Sequence, residues 1–162
     1  MSDNYLKLIP TDSQFVPDES TYHDAIACLE KLTPHGEKVR LEVYSHLTFI
    51  DQGQNFEEII CPTCKAVLRD NIDLAGKTDC QKVFDQIGVQ IENETLENSG
   101  IKMPCCNSEV KATDLIFNWP AGFARFELSV LNPGIAGSLS DGDVSQLSRI
   151  LGCKLMQIWA HY

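Results

Sequence analysis

Two pairs of cysteines are the residues in this sequence whose type and spacing best suit chemistry. Cys61 and Cys64 flank a Pro-Thr dipeptide, and the adjacent Cys105 and Cys106 follow Pro104. Thiolates three positions apart on a tight turn can bind one metal ion, and two neighbouring thiolates can do so where the backbone turns sharply. The pattern therefore predicts a structural zinc site, closed to water, with the ligands Cys61, Cys64, Cys105 and Cys106.

Other interpretations of the cysteines stay open. A CxxC motif is also typical of thioredoxin-like redox pairs, although that chemistry does not require a second pair. Within the metal interpretation, Cys80 or a histidine could replace one of the paired cysteines. Cys28 and Cys153 are expected to be small buried apolar side chains. The odd total of seven cysteines argues against a disulfide framework.

The sequence carries no catalytic motif of a familiar kind, such as a metalloprotease helix, a nucleophile elbow or a phosphate loop. Four cysteine ligands also leave no open coordination position for a catalytic metal. His161 is expected to be a structural histidine. We therefore expect a protein that is not an enzyme, with an enzyme based on His161, His46 or Cys80 as a remote alternative.

The charge of the chain limits its partners. The net charge is −10, and residues 1–60 contain 11 acidic side chains against 4 basic ones. Such a surface repels phosphate backbones and anionic lipid, so we expect neither nucleic acid nor membrane as a partner, and a basic protein surface instead. The polar, acidic start is unlike a signal peptide, and no apolar run is long enough to cross a bilayer, which favours the cytoplasm.

The helices and strands that must position the cysteines are predicted to form an α+β fold. Spacing predicts helices ending near Leu32 and starting at Ser140, the second one ended by Gly152. Alternating patterns predict strands at 39–45, 47–51 and 123–131, with a last strand at 153–162 that is apolar on both faces and therefore expected inside a sheet. Helices packed on a mainly antiparallel sheet fit this order, and ferredoxin-like connectivity is one such arrangement.

The cysteine-bearing middle of the chain predicts a separate unit. We expect residues 1–55 and 119–162 to form an α+β sandwich, and residues 56–118 to form an inserted zinc-ribbon subdomain. Proline and glycine interrupt the middle, which also contains the polar run ENETLENSG. It is therefore expected to lack a core of its own and to need the metal to hold it together.

The motifs CPTC, PCC, WPAGFARFEL, LNP and the terminal LGCKLMQIWAHY together resemble a small family of uncharacterised bacterial zinc-ribbon proteins. The resemblance spans nearly the whole chain. In that family the first cysteine turn reads CPxCG, whereas this sequence has Lys65 in place of the glycine. The resemblance implies a zinc site and no particular reaction. By class, small acidic proteins of this sort are similar to immunity proteins of bacterial toxin systems.

The expected function is a non-catalytic protein-binding module, specifically an immunity protein that neutralises a basic toxin domain. The alternative is a zinc-ribbon regulatory or nucleic-acid-associated protein. That alternative requires a local basic surface, for which the candidates are the four cations near the cysteines in sequence: Lys65, Arg69, Lys102 and Lys111.

Overall fold

The computed structural model describes residues 2–69 and 76–162, which contain nine strands and three α-helices. The strands are β1 (Asn4–Pro10), β2 (Lys38–Ile50), β3 (Glu58–Ile60), β4 (Val67–Arg69), β5 (Gly100–Lys102), β6 (Glu109–Lys111), β7 (Ile116–Asn118), β8 (Gly122–Leu131) and β9 (Leu155–His161). The helices are α1 (Tyr22–Leu32), α2 (Asp79–Glu92) and α3 (Asp141–Leu151). Within the described ranges, no helix is both long and apolar enough to cross a lipid bilayer.

The largest sheet has four strands in the order β2-β8-β1-β9, and every neighbouring pair is antiparallel. Its strands and the helices α1 and α3 alternate along the chain as β1-α1-β2 and β8-α3-β9. This arrangement confirms the predicted α+β class. The segment between β2 and β8 forms a three-stranded sheet, β4-β3-β7, a two-stranded sheet, β5-β6, and the helix α2.

Helices α1 and α3 cover one face of the four-stranded sheet. Successive strand residues point to opposite faces, so the apolar members of each alternating run meet the helices. The fully or nearly fully buried residues of this core are Leu6, Leu8, Ala25, Leu29, Phe126, Leu128, Val130, Leu139, Leu147 and Leu151. The predicted start and end of α3 are confirmed. Ser140 Oγ accepts the Asp143 N–H at 3.1 Å, and Gly152 ends the helix with φ of 74°.

Two sequence-based expectations about the strands are wrong, and one strand, β1, was not predicted. β1 lies inside the sheet, with the polar Lys7 in an otherwise apolar stretch. β9, expected inside the sheet, is an edge strand. The strands expected at 39–45 and 47–51 are a single strand, β2, whose pairing with β8 shifts between Val43 and Thr48.

A second core fills the middle of the chain, contrary to the expectation that this segment lacks one. Its buried residues are Leu47, Ile59, Cys61, Leu68, Cys80, Val83, Ile87, Leu96, Ile101, Met103, Ala112, Leu115 and Phe123. Only Leu47 and Phe123 come from the four-stranded sheet. Most of these side chains are large and apolar and come from the short strands and loops of the middle segment, and α2 adds Cys80, Val83 and Ile87 along one face.

Candidate metal centre

Two short turns bring the four predicted ligand cysteines together. One turn joins β3 to β4, and the other joins β5 to β6. The sulfur atoms of Cys61, Cys64, Cys105 and Cys106 all lie within 4.8 Å of one another. The Sγ atoms of Cys64 and Cys105 are 3.4 Å apart, and those of Cys61 and Cys106 are 3.9 Å apart.

The two turns have the same backbone geometry. In the first, the Lys65 N–H donates to the Cys61 carbonyl at 3.1 Å, and the Cys61 N–H donates to the Ala66 carbonyl at 2.9 Å. In the second, the Asn107 N–H donates to the Met103 carbonyl and the Met103 N–H to the Ser108 carbonyl, both at 2.9 Å. These equivalent hydrogen bonds align the segment CPTCKA in register with MPCCNS.

This correspondence explains the irregular second cysteine pair. Cys106 occupies the position of Cys64, whereas the position of Cys61 is taken by Met103, which is fully buried. Cys105 lies at the position of Thr63 and supplies the fourth thiol from the middle of the turn. Sequence inspection missed this relation, although the shared proline at the second position of each turn could have revealed it.

The fifth position of each turn is strained in the same way. Lys65 has φ of 64° and Asn107 has φ of 58°, both in the left-handed region. Asparagine tolerates this conformation, and glycine adopts it freely, whereas lysine does so at a cost. Lys65 thus occupies a position that glycine would take without strain, and the turn forms nonetheless.

Two of the sulfur–sulfur distances suit a tetrahedral metal site. A metal–sulfur distance of about 2.3 Å requires neighbouring sulfurs to lie about 3.8 Å apart. The separations of 3.4 and 3.9 Å bracket that value. Four thiols at this spacing could hold a metal ion, and no further ligand is needed to complete a tetrahedron.

The electrostatics of the cluster also suit a cation. Burial raises the pKa of the Cys61 thiol, but the N–H groups of Cys64 and Thr63 bond its sulfur and bring its pKa down to about 6. Hydrogen bonds from the Ser108 hydroxyl and N–H lower the pKa of Cys106. Burial, followed by the neighbouring sulfurs, raises the pKa of Cys105 to about 12. Like charges oppose ionising all four thiols at once, and a bound cation removes that repulsion.

The other candidate ligands lie elsewhere. Cys80 is buried in the second core on α2, and the described residues offer no other metal-sized group of cysteine, histidine or carboxylate side chains. His161 Nδ1 is 2.9 Å from the Asn4 side-chain oxygen. His46 Nε2 lies 3.1 Å from a carboxylate oxygen of Glu94. Cys28 and Cys153 are half-buried and pack against the first core.

A polar network that was not predicted lies on the face of the four-stranded sheet that α1 and α3 leave uncovered. Lys7 is only 7% exposed, and its ammonium donates to the Asp51 carbonyl at 2.9 Å and to the Tyr162 hydroxyl at 2.7 Å. The Tyr44 hydroxyl lies 3.1 Å from the Glu127 carboxylate. Lys7, Glu127 and Tyr162 border an open depression of about 320 Å³. Pairing of the strands brings these side chains together from distant parts of the chain, so no local sequence pattern could have predicted the network.

The pH dependence of stability should change in Glu127→Gln. Burial raises the pKa of Glu127 above its ordinary value of 4.5, against the opposing effects of Lys7 and Tyr44. Between the two pKa values the folded protein binds a proton that the unfolded chain has released, so stability falls as pH rises through this window. We expect the stability of Glu127→Gln, relative to wild type, to increase as pH is raised from about 4.5 towards neutrality.

Urea unfolding at a series of pH values measures this effect. Glu30→Gln, at an exposed position on α1, is the matched control and should leave the pH profile unchanged. Parallel profiles for wild type and Glu127→Gln would show that burial of this carboxyl does not affect stability.

The fold and the cysteine cluster define an α+β protein with four thiols placed to hold a metal ion. No family model, no curated protein and no solved structure matches this chain.

Proposed function

We propose that Cys61, Cys64, Cys105 and Cys106 hold a structural zinc ion. The observation that carries this proposal is the approach of all four sulfurs to within 4.8 Å of one another. Zinc is the metal that most often takes four thiolates in a tetrahedral site, and a site with four protein ligands stabilises the fold rather than performing catalysis. The ion would link the β3–β4 turn to the β5–β6 turn.

The same proposal extends to the architecture, with residues 1–55 and 119–162 as a ferredoxin-like frame and residues 56–118 as an inserted zinc ribbon. The strand order β2-β8-β1-β9 and the repeated strand–helix–strand connection support the frame. The two equivalent turns support the ribbon. The proposed family relation to bacterial zinc-ribbon proteins rests on the same turns.

The protein is proposed to act in the cytoplasm as a non-catalytic module that binds a basic protein. Nine of the eleven acidic side chains in residues 1–60 are exposed. Four of them lie on or just before α1, where Lys31 is the one exposed basic residue: Asp18, Glu19, Asp24 and Glu30. An acidic helix surface of this kind attracts a basic partner and speeds its association. The specific form we favour is an immunity protein that neutralises a basic toxin domain.

Nucleic acid is a poorer fit for the basic residues near the cysteines. Arg69 Nε lies 3.1 Å from a Glu58 carboxylate oxygen. Lys102 stands opposite Glu109 in the β5–β6 pair. Two of the four candidate cations therefore face carboxylates, which weakens the attraction of this surface for phosphate.

A partner-capture experiment with a charge-neutralised variant tests the binding proposal. Immobilised wild-type protein should retain a basic protein, and that association should slow as salt is added. A variant with Asp18→Asn, Glu19→Gln and Asp24→Asn should bind it more weakly, whereas the same number of neutralisations outside α1 and the turn before it, Asp3→Asn, Glu37→Gln and Glu42→Gln, should not.

Two outcomes would overturn the binding proposal. Retention that does not depend on salt or on the α1 carboxylates would exclude the acidic surface. A gel shift with DNA or RNA would favour the regulatory alternative instead.

A further inference from the structure

We propose that the protein self-associates through the outer edge of β2, so that two chains form one continuous antiparallel sheet. The proposed contact is the first seven residues of the strand, Lys38–Tyr44. It is independent of the zinc proposal, since this part of the strand belongs to the four-stranded sheet. The partner is a second copy of the chain, related by a twofold axis at Leu41.

The two edges of the four-stranded sheet differ in how they are covered. At the β9 edge, the Trp159 carbonyl accepts hydrogen bonds from the side chains of Asn55 and Trp119, both at 3.1 Å. The backbone of His161 bonds to residues 52 and 54. At the β2 edge, within the described part of the chain, the hydrogen bonds of residues 38–44 lead to β8 and its side chains, and none closes the outer side.

The register with β8 shows which backbone groups point outward. The Leu131 carbonyl accepts the Glu37 N–H, so Leu131 and its second neighbour Ser129 turn their backbone groups towards β2. Ser129 pairs with Arg40. The backbone groups of Arg40 therefore point towards β8. Because successive residues of a strand direct their backbone groups to opposite sides, the N–H and C=O groups of Val39, Leu41 and Val43 point away from the sheet. They form an unpaired row suited to accept another strand.

The side chains of β2 select a second copy and a single register. Arg40 and Glu42 share the uncovered face of the sheet. With the twofold axis at Leu41, each Arg40 stands opposite Glu42 of the other copy. An axis at residue 40 would oppose two arginines, and an axis at residue 42 would oppose two glutamates. Of these three registers, only the central one has no like-charge pair.

The apolar side chains on the other face of β2 also favour this register. Val43 is 47% exposed although it lies on the side covered by α1 and α3 elsewhere in the sheet. In the proposed pair it meets Val39 of the second copy, and Leu41 meets Leu41. Three apolar pairs would then remove exposed Val43 from water on both sides of the axis.

Charge exchange tests this proposal with the full-length, zinc-loaded protein. Sedimentation velocity over a wide range of concentrations should show a monomer–dimer equilibrium for wild type. Arg40→Glu and Glu42→Arg should each associate roughly tenfold more weakly, because two attractive pairs become repulsive. A mixture of the two variants should regain dimers, since each glutamate then faces an arginine.

Matched controls carry the same charge changes on the helices. Arg149→Glu and Glu30→Arg, at exposed positions, should dimerise as wild type does. A wild-type protein that stays monomeric at the highest concentration overturns the proposal. So does a mixture of Arg40→Glu and Glu42→Arg that associates no better than either variant alone.

Discussion

Cys105→Ser is expected to abolish stoichiometric zinc binding and to lower the stability of the protein substantially. Zinc that binds only the folded chain adds stability by mass action, about 2.7 kcal/mol when free zinc is a hundred times its dissociation constant. Structural zinc sites generally exceed this level of saturation. We therefore expect a loss of at least about 3 kcal/mol, or roughly 6–12 °C in melting temperature for a chain of this size.

Elemental analysis of untagged protein, together with thermal unfolding, measures both effects. Cys153→Ser makes the same chemical change at a half-buried position outside the cluster and should retain one zinc per chain. Zinc that survives Cys105→Ser would show that the ligand set is wrong. Unchanged melting after verified metal removal would show that the ion is not structural.

The equivalence of the two turns supplies a rescue experiment. Met103 stands where the first turn has Cys61, so Met103→Cys combined with Cys105→Ser creates a regular CPxC turn. The double variant should recover zinc binding that Cys105→Ser alone has lost. If both variants lack zinc, the superposition of MPCCNS on CPTCKA does not extend to the sulfur positions.

The sequence was most informative where chemistry and local backbone geometry coincide. Cys61 and Cys64 form a local motif, and proline before the second pair signals a turn, so the cluster could be predicted from spacing. Ser140 and Gly152 likewise mark the ends of α3 through interactions within a few residues. Such signals do not depend on how distant parts of the chain meet.

Features that arise from strand pairing could not be predicted in this way. Lys7 made β1 look polar, yet its ammonium is satisfied by Asp51 and Tyr162, which lie far along the chain. The edge position of β9 follows from β1 lying between it and β8. The second apolar face of β9 is explained by a small buried cluster of Ile9, Ile50, Ala124 and Ile158. The positions of β1 and β9 in the sheet are therefore set by long-range strand pairing, which the local hydrophobic pattern does not reveal.

The junction between the two cores depends on a group of aromatic rings centred on Phe49. This side chain of β2 has ring-centroid distances of 5.3 Å to Phe117 of β7, 5.2 Å to Phe123 of β8 and 5.9 Å to Phe84 of α2. It thereby joins the four-stranded sheet to the cysteine-bearing middle of the chain. Because these contacts cross the junction, we expect the sheet and the middle segment to unfold in one transition.

Phe49→Ala is expected to reduce the free energy of unfolding by about 3 kcal/mol, since it removes a large ring and leaves a cavity between the two cores. The partial exposure of Phe49 keeps the loss below that of a fully buried phenylalanine. Phe56→Ala is the matched control: among the described residues its ring contact is with Phe84, at a centroid distance of 5.1 Å, and not with a ring of the sheet, so its loss should be smaller.

Urea unfolding followed by tryptophan fluorescence and by zinc release to a colorimetric chelator measures both stability and coupling. In wild type the two signals should change at the same urea concentration, because Phe49 transmits the unfolding of one core to the other. In Phe49→Ala, zinc release should precede the fluorescence change, as the middle segment loses its attachment to the sheet. Coincident transitions in the variant, or a loss below about 1 kcal/mol, would show that the junction is held by contacts other than this ring.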